Sequence, residues 1–212
     1  MADTLPTHSV TGLVLAGGQG SRMGGLDKGL QAYAGQALAQ RALERLRQQQ
    51  GDLLAGCMLS ANRNLETYAG WNLPVLSDAL PGHAGPLAGV LSGLAHCPTP
   101  WLLCVPCDCP RFPLDLLPRL AQELTVSGAD LALAVGRDDD GCWRDQPVFC
   151  LLRQSLHDDL ARYLAEGGRA MGRWLDRQAC VRVRFDATHD DPLAFANANT
   201  LAELQALQSL DD

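Results

Sequence analysis

The chain has 212 residues, a formal net charge of −7, and a composition that is 47% hydrophobic, 19% charged and 5% aromatic. That length supports one sizeable core, and the acidic balance excludes a protein that holds nucleic acid by bulk electrostatics. The 17 basic residues hold one Lys, Lys28, and it lies in a glycine-rich stretch where a compact ammonium, not a planar fork, is the available cation. Met1 to Val10 contain neither a basic n-region nor a long apolar run, so no secretory leader is expected. The uncharged segment between Asp78 and Asp108 is broken by Pro81, Pro86, Pro98, Pro100 and Pro106, which argues against a membrane span. Eight Cys without a leader imply reduced thiols and a cytoplasmic setting.

Strand and helix patterns alternate along the chain. Val10 to Ala16 form a nearly continuous uncharged run, as a buried parallel strand requires. A loop from Gly17 to Gly25 follows. After a turn at Ala34–Gly35, Leu38, Ala42, Leu43 and Leu46 recur at helical spacing. Leu53–Leu59 and Leu73–Leu76 read as strands, Leu87–Leu94 as a helix entered through Gly85–Pro86, and Trp101–Val105 as a buried strand closed by Pro106. Leu114–Leu124 is helical if Pro118 falls in the first turn. Strands are expected at Leu131–Val135, Pro147–Leu152 and Val181–Phe185, with helices over His157–Ala165 and Ala170–Arg177. A capping box, Thr200 with Glu203, opens a last helix that runs to Leu210. The alternation predicts an α/β fold: a single three-layer domain with a mostly parallel central sheet.

In such a sheet ligands sit beyond the carboxyl ends of the strands, so the first connection, Leu15 to Lys28, is well placed. Gly17, Gly18, Gly20, Gly24 and Gly25 let backbone N–H groups wrap an anion, and Arg22 and Lys28 add two cations. Amides, one forked donor and one mobile ammonium suit a triphosphate. The loop is neither a P-loop, since Lys28 precedes Gly29 instead of Ser or Thr, nor a G-x-G-x-x-G fingerprint, since Met23 stands where the third Gly belongs. Asp108 follows the Trp101–Val105 strand and is placed to anchor Mg²⁺, ahead of a role as a turn former between Pro106 and Pro110. Asp78 alone reads as a turn residue. Cys104, Cys107 and Cys109 lack a second spaced pair, so zinc is rejected. Gly85–Gly89 reads equally as a ligand-facing opening or as close helix packing, and Asn197–Thr200 as a ligand contact or an N-cap. Asp138 to Asp140 read as a solvated turn. The dispersed His residues form no nucleophilic pattern, which points to direct transfer by positioning and charge neutralisation.

Val14 to Gly29 resembles the signature loop of the nucleotidyltransferases that activate sugars and cofactors. With Ser60-Ala-Asn-Arg63, Asp78, Gly85–Gly89, Pro106-Cys-Asp108 and Asn197–Thr200, the chain is similar over nearly its whole length to the molybdenum cofactor guanylyltransferases of bacteria. The resemblance implies a Rossmann-like nucleotidyltransferase fold and transfer of GMP from GTP to molybdenum-molybdopterin, with pyrophosphate released. It further implies that Lys28, Arg22 and Asp108 are catalytic and that Asp108 binds Mg²⁺. The nucleotide site would take in Leu15, Ala16, Gly17, Gly18, Gly25, Lys28, Ser60, Asn62, Asp78 and Gly89, with Asn197 and Asn199 toward the pterin. Ser60 departs from the Asn that relatives carry there and loses the paired geometry of an amide. The nucleotide-binding half would cover about residues 10–135 and the pterin-side half about 136–212, where Arg144, Arg153, Arg162, Arg169, Arg173 and Arg182 either meet a phosphate or solvate a face. Implied partners are cofactor-synthesis proteins and molybdoenzyme chaperones, with no nucleic acid and no membrane. The rival readings are a cytidylyl or sugar-phosphate nucleotidyltransferase and a non-catalytic carrier of the finished cofactor.

Overall fold

Strand β1 (Val10–Leu15) is buried along its full length, because it is paired on both edges and covered on both faces. A computed structural model describes residues 5–17, 26–78, 85–138 and 141–210. Around β1 a seven-stranded sheet is built from β4 (Leu54–Ser60), β5 (Val75–Leu76), β6 (Trp101–Pro106), β7 (Leu131–Arg137), β8 (Trp143–Arg153) and β9 (Cys180–Arg184), in the order β5-β4-β1-β6-β8-β7-β9. β8 is antiparallel to both neighbours, and the other pairings are parallel. A separate two-stranded hairpin, β2 (Ala32–Tyr33) and β3 (Gln36–Ala37), follows the first loop.

Alternate residues of β1 enter two cores, as the period of a strand demands. Val10 and Val14 join the side covered by α1 (Leu38–Arg47) and α4 (Leu116–Ser127). Leu13 and Leu15 join the side covered by α3 (Pro86–His96), α5 (His157–Ala165) and α6 (Met171–Leu175). The three-layer α/β arrangement expected from the alternation is therefore observed. Pro118 lies in the first turn of α4, where its missing N–H costs no intrahelical bond.

A hairpin at the Ala34–Gly35 turn, a short helix between β4 and β5, and the first residues of β8 go beyond the expected elements. The Ala34–Gly35 turn, with φ of 49° and 77°, closes the β2–β3 hairpin. Helix α2 (Leu65–Ala69) has only five residues and buries Tyr68. β8 begins at Trp143, not Pro147: its register against β7 jumps from Cys150 to Gln146, which leaves Pro147 in an irregularity where a strand tolerates proline.

The last helix, α7 (Leu201–Gln208), begins at the expected capping box, with Glu203 N–H donating to Thr200 Oγ1. It packs Leu204 and Leu207 on Tyr33 and Leu38, and the Tyr33 hydroxyl donates to the Leu207 carbonyl at 3.2 Å. The hairpin that follows the first loop thus docks the C-terminal helix.

α3 lies so close to the sheet that a methyl group on Gly93 would overlap Leu13 Cδ2 and come within 3.1 Å of Leu102 Cδ2. Both leucines are fully buried. Gly93→Ala should therefore lower stability by about 1–2 kcal/mol in urea unfolding, overpacking outweighing the gain in helix propensity.

Candidate active site

The parallel registers bring three strand ends to one level: Leu15 is opposite Ser60 on one side and Pro106 on the other. Two further backbone bonds extend that level, Ala16 N–H to the Ser60 carbonyl at 2.8 Å and Cys107 N–H to the Leu15 carbonyl at 3.1 Å. Leu15 and Ala16 are buried, and Gly17 is exposed at the rim. Arg22, Gly18 and Gly25 lie outside the described residues.

Beyond these strand ends Lys28 Nζ meets Asp108 Oδ2 at 2.5 Å and donates to Asn199 Oδ1 at 2.9 Å. Lys28 and Asp108 are about one-fifth exposed, at 22% and 19% of their side chains, so the pair is reachable from solvent but largely sheltered. The segment carrying Asn199 is held in place independently. Ala198 N–H donates to the Asp108 carbonyl at 2.9 Å, and Glu203 Oε2 accepts from the N–H groups of Asn199 and Thr200. The buried thiol of Cys109 donates to Asn197 Oδ1 at 2.9 Å. The turn after Asp108 is gripped from α1, where Arg41 donates to the Pro110 carbonyl and Arg45 to that of Phe112.

A second pair lies at the end of β4. Asn62 Nδ2 donates to Asp78 Oδ2 at 2.7 Å, and Asp78 N–H donates back to Asn62 Oδ1 at 2.9 Å. A Cβ on Gly17 would stand 3.4 Å from Asn62 Nδ2, so this pair borders the first loop. Ser60 and Gly89 lie beneath the site. Ser60 is 1% exposed, and a Cβ on Gly89 would come within 2.6 Å of its hydroxyl and 2.7 Å of Leu15 Cδ2. Close helix packing is thus the role the geometry gives Gly89.

The MobA-like NTP transferase domain matches residues 12–181 of the chain. The sequence is 54% identical over 211 residues to the molybdenum cofactor guanylyltransferase of Acidovorax ebreus, covering 97% of this chain and 98% of that one. The chain belongs to the MobA-like NTP transferase family. Its fold is similar to that of molybdopterin-guanine dinucleotide biosynthesis protein A from Archaeoglobus fulgidus, with a TM-score of 0.75, 21% identity and coverage of 95% and 98%. It is also similar to that of 4-diphosphocytidyl-2C-methyl-D-erythritol synthase from Anaerococcus prevotii, with a TM-score of 0.72, 11% identity and coverage of 95% of each chain.

In this MobA-like transferase the sequence reading missed the surroundings of Asp27. Asp27 Oδ1 accepts from Gly29 N–H at 3.0 Å and from the Tyr68 hydroxyl at 2.8 Å, while Oδ2 accepts from Asn64 Nδ2 at 2.8 Å. Burial, and then the bond to Asp27, push the Tyr68 phenol far above its usual range, so it remains a donor at any working pH. The only sequence signal was the Asp-Lys-Gly order itself.

Several arginines of the C-terminal half are committed elsewhere. Arg144 pairs with Asp138, Arg153 with Asp130, Arg162 with Asp159, and Arg182 with Asp145 and Asp176. Arg169 donates to the carbonyls of Leu164 and Gly168, whereas Arg173 is exposed. Asp115, His189 and Asp190 also cluster, but Arg119 and the Ala187 N–H already hold the Asp190 carboxylate.

Cys104, Cys107, Cys109 and Cys150 are buried thiols and Cys142 is exposed. Burial raises Cys104, Cys107 and Cys109 above their usual range and Cys57 to about 11. A thiol-reactive chromophore should therefore label Cys142 first in the native protein, and the four buried thiols only as it unfolds. Thr200→Ala should cost about 1 kcal/mol in the same unfolding titration, through loss of the cap that holds the Asn199 segment.

Proposed function

We propose that this chain transfers GMP from GTP to the terminal phosphate of molybdopterin carrying molybdenum. The observation that carries the reading is the convergence of Lys28, Asp108 and Asn199, with contacts of 2.5 and 2.9 Å, beyond the strand ends. The choice of substrates follows the name borne by a relative that is 54% identical over almost the full chain.

In the proposed reaction an oxygen of the pterin phosphate attacks the α-phosphorus of GTP in line. The bond from that phosphorus to the bridging oxygen breaks, and its electron pair leaves with pyrophosphate. The sequence supplies no nucleophilic pattern, so catalysis rests on holding the two phosphates together and neutralising their charge. Lys28 follows the phosphate oxygens as a mobile point charge, with Arg22 and the amides from Gly17 to Gly20 on the leaving pyrophosphate. The Asn62–Asp78 pair borders the nucleotide, and Asn197 and Asn199 face the pterin. The nucleotide half spans about residues 10–135 and the pterin half about 136–212, meeting where Asn199 reaches Lys28.

Asp108 presents hard carboxylate oxygens, a donor type that suits Mg²⁺, while the neighbouring thiols of Cys107 and Cys109 are held protonated by burial. Mg²⁺ held there would neutralise charge on the nucleotide phosphates. The reaction is assigned to the cytoplasm, with transient hand-over contacts to cofactor-synthesis proteins and molybdoenzyme chaperones. Among the described residues, no helix is long and apolar enough to cross a membrane.

Pyrophosphate release with molybdenum-molybdopterin, Mg²⁺ and each NTP in turn should be supported by GTP. A preference for CTP would overturn the choice of base. Lys28→Ala should reduce turnover by roughly 10²–10³-fold, the scale of one lost charge-stabilising donor, while the unfolding midpoint stays close to that of the wild type. Asp108→Asn should likewise abolish most of the turnover, and full product formation by that variant would favour the carrier reading.

A further inference from the structure

We infer that Asp27, Asn64 and Tyr68 form a positioning clamp for Lys28, so that helix α2, which contributes no group to the phosphates, sets where the ammonium stands. This inference rests on the guanylyl-transfer reading and extends it to residues with no assigned role.

Asp27 and Lys28 are sequence neighbours of opposite charge, yet the ammonium reaches across to Asp108 and Asn199. The reason lies in the company Asp27 keeps. Its two oxygens accept from three neutral donors, the Gly29 amide, the Tyr68 hydroxyl and the Asn64 amide. Its own carbonyl accepts from Gln31 Nε2 at 2.9 Å and from Leu30 N–H at 3.2 Å. A carboxylate engaged in this way caps the short 3-10 turn at Lys28–Leu30, while the Lys28 ammonium reaches Asp108 and Asn199.

The partners are themselves fixed. Tyr68 is fully buried and packs edge-on against Trp71 with ring centroids 5.0 Å apart. Asn64 stands at the N-cap of α2 with φ 51°, a left-handed conformation that few non-glycine residues adopt. Its side chain makes no cap bond to α2 and reaches across to Asp27 instead. The αL conformation, which Asn tolerates, turns the Asn64 amide away from its own helix and onto the Asp27 carboxylate. Gly29 completes the fit from behind: a Cβ there would stand 2.5 Å from Tyr68 Oη, 3.2 Å from Ala16 Cβ and 3.3 Å from Ala39 Cβ. With the turn wedged on that side, Lys28 is held facing the strand ends.

Two substitutions separate positioning from mere support. Tyr68→Phe removes one hydroxyl at nearly constant shape, and Asn64→Gly removes the side chain while accommodating the positive φ. Each is made in the wild type and in Lys28→Ala. GTP affinity is read by calorimetry with Mg²⁺, kcat/KM for GTP by pyrophosphate release, and folding by thermal unfolding. In the wild-type background each should weaken GTP binding and lower kcat/KM by about tenfold to a hundredfold, the scale of a misplaced charge. In the Lys28→Ala background each should change them by less than about twofold, because a clamp has no effect without the side chain it positions. Equal factors in the two backgrounds, or unchanged constants in a folded single variant, overturn the clamp alone. Should Tyr68→Phe fail to fold, Asn64→Gly at the exposed position carries the same comparison. A wild-type chain that neither binds GTP nor releases pyrophosphate overturns the clamp together with the guanylyl-transfer reading.

Discussion

The contact of 2.5 Å between the Lys28 ammonium and the Asp108 carboxylate joins two segments 80 residues apart, and much of the architecture serves to bring it about. The parallel pairing of β1 with β6 puts Leu15 level with Pro106, so the two loops leave the sheet side by side. Arg41 and Arg45 on α1 hold the turn after Asp108, and the β2–β3 hairpin docks α7 so that Asn199 arrives 171 residues downstream of Lys28. A charge pair of this kind, one-fifth exposed, adds modestly to stability. Its importance is positional: it brings the first loop, the Asp108 turn and the Asn199 segment together beyond the strand ends.

The single lysine suits that place for a chemical reason. An arginine offers a rigid planar fork matched to one carboxylate or phosphate face, whereas an ammonium on a flexible stem can exchange oxygen partners as charge moves. The arginines of the C-terminal half largely do the former work. Arg182 bridges Asp145 and Asp176, Arg153 holds Asp130, and Arg144 holds Asp138. These bonds tie strands, helices and loops together.

The central strands were legible because burial on both faces leaves a continuous apolar run, as in Val10–Leu15 and Trp101–Pro106. Some short elements were not. The two-residue strands of the hairpin and the five-residue helix α2 barely complete one period, and lack the longer apolar flanks that revealed the equally short β5 and α6, although the Ala34–Gly35 turn itself was visible. Pro147 hid the first half of β8, since proline in a strand reads as a beginning and here sits within an irregular stretch. Lys28 and Asp108 stood out by type and place, and Asn199 through the family resemblance. Their meeting depends on strand order and on the docking of α7, which are non-local and leave no mark in a single sequence. Ser60 and Gly89 were visible as a pair of motif residues, but burial of Ser60 beneath α3 could be read only from the packing. Asp27 escaped notice because its partners come from α2, the helix that was itself missed.

The lone lysine also offers a direct measurement. Protein labelled with ¹⁵N only at lysine has one side-chain ammonium to report, that of Lys28. Titrated with GTP and Mg²⁺, its nitrogen resonance should shift in step with nucleotide binding followed by calorimetry on the same sample, as the ammonium leaves Asp108 and Asn199 for phosphate oxygens. An ammonium resonance unmoved at saturating, calorimetrically bound GTP would contradict the account, because the nucleotide would then lie away from the strand ends where Lys28 and Asp108 meet.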